Sequence, residues 1–219
     1  MYGMLKSNVN TGADDELASV FITPLTIASN KPGFVTDSIN LHRKVSTSDS
    51  QRWELDVNIA PTNESVDGIV DSLIRSFDTI AYARMPQVIR KSHGTNGKSA
   101  YTPVGANVGY TPTLAVAANY PVNSSLLNLS GILSFDLAKG EFIQFENDPK
   151  VYMVVEPGVD GLGFTIFPSL RQAVSIGDEI YYGDRVTLNC YYDIDNTFGI
   201  EFKDGILVSP GTMRLVEAL

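Results

Sequence analysis

One cysteine and two histidines are all that this 219-residue sequence offers as soft or borderline metal ligands. Cys190, standing alone, excludes an internal disulfide. It sits in RVTLNCYY, where it alternates with Val186, Leu188 and Tyr192. That position reads as a buried thiol rather than a nucleophile. His42 and His93 are far apart in sequence and neither lies in a metal-ligand pattern, which argues against a structural zinc site. Long apolar runs are also missing: no stretch approaches the roughly 20 residues needed to cross a bilayer. The N-terminal MYGMLKSNVNTGADDEL is polar and lacks the apolar centre of a secretion signal, so synthesis and folding in a cytoplasm are expected.

Charge is scarce. Charged residues make up 19% of the chain, against roughly 25% in an ordinary soluble domain. The shortfall suggests that part of the surface is covered by a partner. The formal net charge of −9, from 16 Lys+Arg against 25 Asp+Glu, disfavours a phosphate-gripping role, because nucleic-acid affinity rests on neutralising phosphates. An acidic wall would repel DNA, as the lining of a conduit would. What the chain has in quantity is apolar surface, 43% of residues, enough to build a core.

The pattern is that of strands. SVFITPLTIA (19–28) and FVTDSINL (34–41) read as strands joined by the turn signal Asn30-Lys31-Pro32-Gly33, and RKVSTSDSQ (43–51) reads as a loop. RWELDVNIA is the cleanest strand: Trp53, Leu55, Val57 and Ile59 point one way, and Arg52, Glu54, Asp56 and Asn58 face water or an interface. Pro61-Thr62-Asn63 then offers a cap for a helix over about 64–77, with Val66, Ile69, Val70, Leu73, Ile74 and Phe77 as its apolar stripe. Residues 79–90 read as a further strand, with Pro86 favouring an edge or bulge.

From 126 onward the pattern is short strands and turns: SGILSFDL, GEFIQFE, KVYMVVE, GFTIFP, GDEIYYG, RVTLNCYYD, TFGIEF and GILV. Asn147-Asp148-Pro149, Asp160-Gly161 and Asp204-Gly205 supply hairpin signals. The expected organisation is an N-terminal β subdomain with one helix (1–90), an extended segment (91–125), and a C-terminal β-sandwich or barrel subdomain (126–219). The middle segment, rich in Gly, Asn, Ser, Thr and Pro with Tyr101, Tyr110 and Tyr120 spaced along it, reads as a linker or an assembly arm. The fold class is mainly β, with one or two helices.

No reactive constellation is expected. GTNGKS (94–99) resembles the end of a phosphate-binding loop, but the first required glycine falls on Ser92 and AYTPVGANVGYTP cannot follow as a helix. GVDGLGF (158–164) joins two strands and opens no helix, so it reads as a hairpin loop rather than a dinucleotide site. Asp193-Ile194-Asp195-Asn196 lacks the remaining positions of a calcium loop and reads as a polar strand end. The sequons at Asn63, Asn123 and Asn128 carry little weight without a secretory route. Trp53 reads as a core anchor rather than a sugar platform. No catalytic, cofactor-binding or metal-binding residue, and no cofactor, is expected.

Two stretches carry a resemblance. QRWELDVNIAPTNESVDGIVDSLIRSF (51–77) resembles a pattern in tailed-bacteriophage tail proteins, where a Gln-Arg-Trp-Glu strand leads through a proline turn into an apolar helix. KGEFIQFENDPKVYMVVEPGVDGLGFTIFPSLRQAVSIGDEI (139–180) resembles a later pattern in the same kind of protein. Its elements are Gly140-Glu141, Tyr152-Met153-Val154, the glycines from 161 to 163, and Pro168-Ser169-Leu170-Arg171. The resemblance is to tail or baseplate structural proteins of the distal-tail or tail-tube kind. It implies a β-sandwich or barrel core and assembly in a ring around the tail channel. The implied partners are copies of the chain and other tail or baseplate proteins, with no specific nucleic-acid contact (DNA would pass through the lumen) and no membrane, and the implied location is the virion tail. No catalytic residue comes with the resemblance. Arg171, if buried, is expected to pair with a carboxylate or cap carbonyls. The alternatives are a receptor- or carbohydrate-binding β module, for which Tyr181, Tyr182, Tyr191 and Tyr192 are the candidate aromatics, and a hydrolase with an unrecognised site.

Overall fold

A computed structural model describes residues 2–7, 17–37, 43–47, 50–60, 80–86, 114–130, 137, 139–157, 163–193, 201–204, 206–209 and 212–218. These residues are mostly β. The strands are β1 (Gly3–Leu5), β2 (Leu17–Asn30), β3 (Gly33–Asp37), β4 (Arg43–Thr47), β5 (Arg52–Ile59) and β6 (Ala81–Arg84). Next come β7 (Leu114–Val116), β8 (Leu126–Leu127), β9 (Leu129–Ser130), β10 (Phe142–Phe145), β11 (Val151–Glu156) and β12 (Phe164–Phe167). The chain ends with β13 (Glu179–Tyr182), β14 (Thr187–Tyr192), β15 (Glu201–Lys203), β16 (Ile206–Ser209) and β17 (Thr212–Glu217). Among the described residues no helix is long and apolar enough to cross a membrane. The helix expected over 64–77 lies outside them.

Six strands pair in the order β1-β2-β5-β17-β14-β6 and close into a barrel. Strand β5 forms as its alternation dictates. Trp53, Leu55, Val57 and Ile59 are buried, and the strand pairs antiparallel with β17 from Glu54↔Val216 to Asn58↔Thr212. On its other side β5 pairs with β2, where the register shifts between Ile22 and Thr26. Pro24 lies in that interval and has no N–H to give to the ladder, so a bulge there is the physical outcome. Two expectations are corrected in this region. The segment expected as a loop over 43–51 contains β4, which pairs in five-residue register with β3: the hairpin satisfies its backbone groups despite its polar composition. Strand β17, whose Met213 and Leu215 are fully buried, had no counterpart in the expected strand set.

A second sheet runs β8-β12-β11-β10-β13-β7-β9. Its two terminal strands are one piece of chain. At 126–127 this piece pairs with β12 (Leu127↔Phe164, Leu126↔Thr165), and at 129–130 it pairs with β7 (Leu129↔Val116, Ser130↔Ala115). Between them the Asn128 carbonyl accepts the Ala117 N–H at 3.0 Å. The sheet therefore closes on itself through 126–130. The ladder to β12 continues past the strand end, with Ile166 N–H to the Ser125 carbonyl, Leu170 N–H to the Ser124 carbonyl and Asn123 N–H to the Leu170 carbonyl, all within 2.9 Å. Alternate residues fill the interior: Leu114, Val116, Leu127, Ile143, Phe145, Tyr152, Val154, Phe164, Ile166, Ile180 and Tyr182 belong to one buried cluster. A barrel this narrow is filled by its own side chains.

Contacts divide the chain into two compact units, Met1–Ala18 with Tyr82–Asn189, and Ser19–Ala81 with Cys190–Leu219. This division differs from the three consecutive segments 1–90, 91–125 and 126–219. The chain crosses between units within β2, β6 and β14, so the sequence order of the strands does not follow the packing. Of the expected arm, 91–113 lies outside the described residues, while 114–125 belongs to the closed sheet.

Candidate functional site

Several described residues in the two stretches quoted above make identifiable contacts. In Gln-Arg-Trp-Glu, the Gln51 side chain is buried and its amide donates to Ser29 Oγ at 3.1 Å. Trp53 is buried, and its N–H donates to the buried Glu217 carboxylate at 2.9 Å. That bond ties β5 to the last residue of β17.

Glu54 is buried although it lies on the outward side of the alternation. It was expected on a wet or interfacial face, yet it is only 5% exposed. Its carboxylate accepts from Asn30 Nδ2 at 2.8 Å, Arg52 Nε at 2.9 Å and an Arg214 terminal nitrogen at 2.8 Å. Arg214 also lies 3.6 Å from Asp56 and 3.7 Å from Asp193. Burial alone would raise the Glu54 pKa, but the Asn30 hydrogen bond and the two arginines outweigh it and hold the carboxyl below its ordinary range. Three side chains, from β2, β5 and β17, are thus latched on one carboxylate, and Arg214 carries two further carboxylates, Asp56 on β5 and Asp193 just after β14. Local sequence reasoning could not find this site, because Arg214 lies 160 positions from Glu54.

The second resembling stretch supplies strands and their ties. Gly140 N–H donates to the Val154 carbonyl and Val154 N–H to the Glu141 carbonyl, closing one end of the β10–β11 hairpin. At the other end the Tyr152 hydroxyl donates to Asp148 Oδ2 at 2.6 Å and accepts the Arg171 N–H at 3.0 Å. Asp148 Oδ1 also accepts the Lys150 N–H at 2.9 Å. Burial is the main reason the Tyr152 pKa is strongly raised, and the adjacent Asp148 adds to it. This phenol stays protonated and acts as a fixed strut. Arg171 itself is half-buried, and the part it plays here is made by its backbone. Leu170 is fully buried.

The four candidate tyrosines do not gather on one exposed face. Tyr182 and Tyr192 are buried. Tyr181 is half-buried beneath the Arg185 guanidinium, which lies 4.4 Å from its ring centre and pairs with Glu179; its pKa is raised, chiefly by burial. Tyr191 is half-buried. Cys190 is fully buried, and its thiol lies 3.5 Å from the Ala81 carbonyl, which accepts from it. Asp193 of the carboxylate pair faces Arg214, a cation already supplied by the chain, while Asp195 and Asn196 lie outside the described residues.

GTNGKS, His42, His93, Asn63 and residues 158–162 also lie outside the described residues. Phe164 opens β12, and Gly163 stands immediately before it. Asn123 and Asn128 are exposed, Asn123 at φ +70°. Among the described residues no three His, Cys, Asp or Glu side chains converge to hold a metal ion. No protein-family model matches the chain, and no curated protein matches it either.

Proposed function

We propose that this chain is a non-catalytic structural protein of a phage virion, forming part of a tail or baseplate ring around the tail channel. The observation that carries the reading is the use made of the resembling residues. Gln51, Trp53, Glu54, Tyr152 and Leu170 are all buried, and the Gln51 amide nitrogen, the Trp53 backbone N–H, the Glu54 carboxylate and the Tyr152 hydroxyl each make hydrogen bonds that tie segments of the chain together. Such residues hold a frame, which is what the proposed structural role asks of them.

The net charge of −9 supports the same reading, since an acidic channel lining lets DNA pass without gripping it. In this reading copies of the chain and other tail or baseplate proteins are its partners. Light scattering on the full chain at micromolar concentration tests it. A discrete multiple of the monomer mass supports the ring. A monomer that binds glycans on an array would replace it with the carbohydrate-binding alternative.

A further inference from the structure

Strands β2 and β5 run as one ladder up to the pair Asn30↔Arg52. Pairing resumes at Gly33↔Thr47, the first pair of the β3–β4 ribbon, whose last is Asp37↔Arg43. The chain thus leaves β2 outward along β3 and returns along β4 into β5. Between the two ladders one leg has two residues, 31–32, and the other four, 48–51. Legs of unequal length cannot carry one antiparallel register straight through. The ribbon is accordingly a two-stranded sheet of its own. Pro32, on the shorter leg, has no N–H to give to a bridging bond. A two-stranded ribbon is marginally stable by itself, so its order and direction depend on what fixes its root.

Side chains fix that root. Asn30 ends the outgoing leg and Arg52 begins the returning one. Both donate to the same oxygen, Glu54 Oε1, at 2.8 and 2.9 Å. The other oxygen, Oε2, is held at 2.8 Å by Arg214 of β17. One carboxylate therefore joins the two legs through one oxygen and ties them to a third strand through the other. Gln51 adds a second tie between the same legs, its amide donating to Ser29 Oγ at 3.1 Å.

We infer that the β3–β4 ribbon is a hinged arm, and that Glu54 is the positioning residue that clamps the arm's root to the strands beneath it. The inference goes beyond the ring reading and does not depend on it. The clamp works through charge. Arg52 on β5 and Arg214 on β17 face the carboxylate. Asp56 on β5 and Asp193 just after β14 lie on Arg214, at 3.6 and 3.7 Å. Glu217 at the end of β17 is occupied with the Trp53 N–H. Above its ordinary value of 4.5 Glu54 is ionised and the clamp is shut. As pH falls through that value and below it, protonation takes the charged acceptor from both legs. The arm is then freed while the backbone ladder between β5 and β17 remains.

Amide exchange on the full chain, read as protection factors residue by residue, tests this with Asn30→Ala/Arg52→Gln and with Thr212→Val. Thr212 Oγ1 donates to Asn58 Oδ1 at 2.8 Å, a cross-strand side-chain bond at the far end of β5, so its removal is the control. The root variant should lose protection roughly tenfold or more over 33–37 and 43–47, and by a clearly smaller factor over 54–58. Thr212→Val should leave 33–37 and 43–47 as in wild type. Lowering the pH below 4.5 should bring the wild-type ribbon down to the protection of the root variant, which should itself show no such fall. Glu54→Gln keeps the shape of the site and removes the charge, and should give the same pattern at neutral pH if the double variant does not fold. A root variant with wild-type ribbon protection overturns the clamp, as does a wild-type ribbon that is unprotected at neutral pH. Equal losses over the ribbon and 54–58 would make the cluster a general brace and overturn it too. So would a Thr212→Val ribbon as exposed to exchange as that of the root variant, or a wild-type ribbon indifferent to acid.

Discussion

The seam of the second barrel and the middle of the first are held by opposite chemistry. At 126–130 the seam is made of backbone hydrogen bonds and apolar packing, with no charge on it. At β5 a buried carboxylate gathers Asn30, Arg52 and Arg214 onto one point. Both devices remove a sheet's vulnerability, but they leave different surfaces behind. Closure by pairing leaves no edge for another chain to extend. An ion cluster leaves a wet face: Arg52 and Arg214 are both about half exposed. One region is held without ion pairs and the other is held by them.

The comparison can be broken first at the apolar end. Phe164→Ala removes an interior ring at the start of β12, directly opposite Leu127. Deleting a buried aromatic costs about 3–5 kcal/mol. Amide exchange along β8, β9 and β12 should accelerate far more than exchange along β5.

Glu54→Gln should do the reverse, at a smaller cost of about 1.5–3 kcal/mol, the range for hydrogen bonds to a charged group. Its sharper signature is in pH. Glu54 has a folded pKa below its ordinary value of 4.5, so its stabilising contribution is complete above that value. The contribution is lost as pH falls through 4.5 towards the lower folded value. Urea midpoints of wild type and Glu54→Gln should differ at neutral pH and converge in acid. A constant difference would show that the carboxylate's charge is not what holds the strands.

Tyr152→Phe leaves Asp148 Oδ2 and the Arg171 N–H without their phenol, at a cost of about 1–3 kcal/mol. Because the folded pKa of Tyr152 is raised above 10.0, its contribution is complete below pH 10 and fades as pH rises beyond it, where the unfolded chain alone ionises. Wild type should therefore lose stability in alkali more steeply than Tyr152→Phe, measured by denaturant titration at successive alkaline pH values.

The smallest expected effect is at Gly163. A Cβ built there would lie 2.7 Å from Asn128 Oδ1, 2.9 Å from Leu126 Cδ1 and 3.0 Å from the Leu127 carbonyl. The two side chains can move, but the carbonyl belongs to the seam. Gly163→Ala should cost about 1 kcal/mol, within the lower range for overpacking, and its amide-exchange effect should be confined to 126–128.

Much of the β pattern was legible because strands announce themselves by alternation. Strand β5 was readable from Trp53, Leu55, Val57 and Ile59, and the β10–β11 hairpin from Asn147-Asp148-Pro149. Closure was not legible. The segment 114–130 has no clear period because it pairs on two sides over only two residue pairs each, so its regularity exists only in its neighbours. Strand β4 was missed because its composition is polar, and the ladder that forms it is made by backbone pairing with β3. The burial of Glu54 was not legible for a related reason: alternation says which way a side chain points, not what will be waiting there. The arginine that buries it comes from β17, whose place beside β5 no local signal encodes.

Electron microscopy of the purified full chain tests the central claim most directly. The account predicts closed rings of uniform diameter with an axial hole. A field of single compact particles at assembling concentrations, without rings or larger closed assemblies, would contradict it.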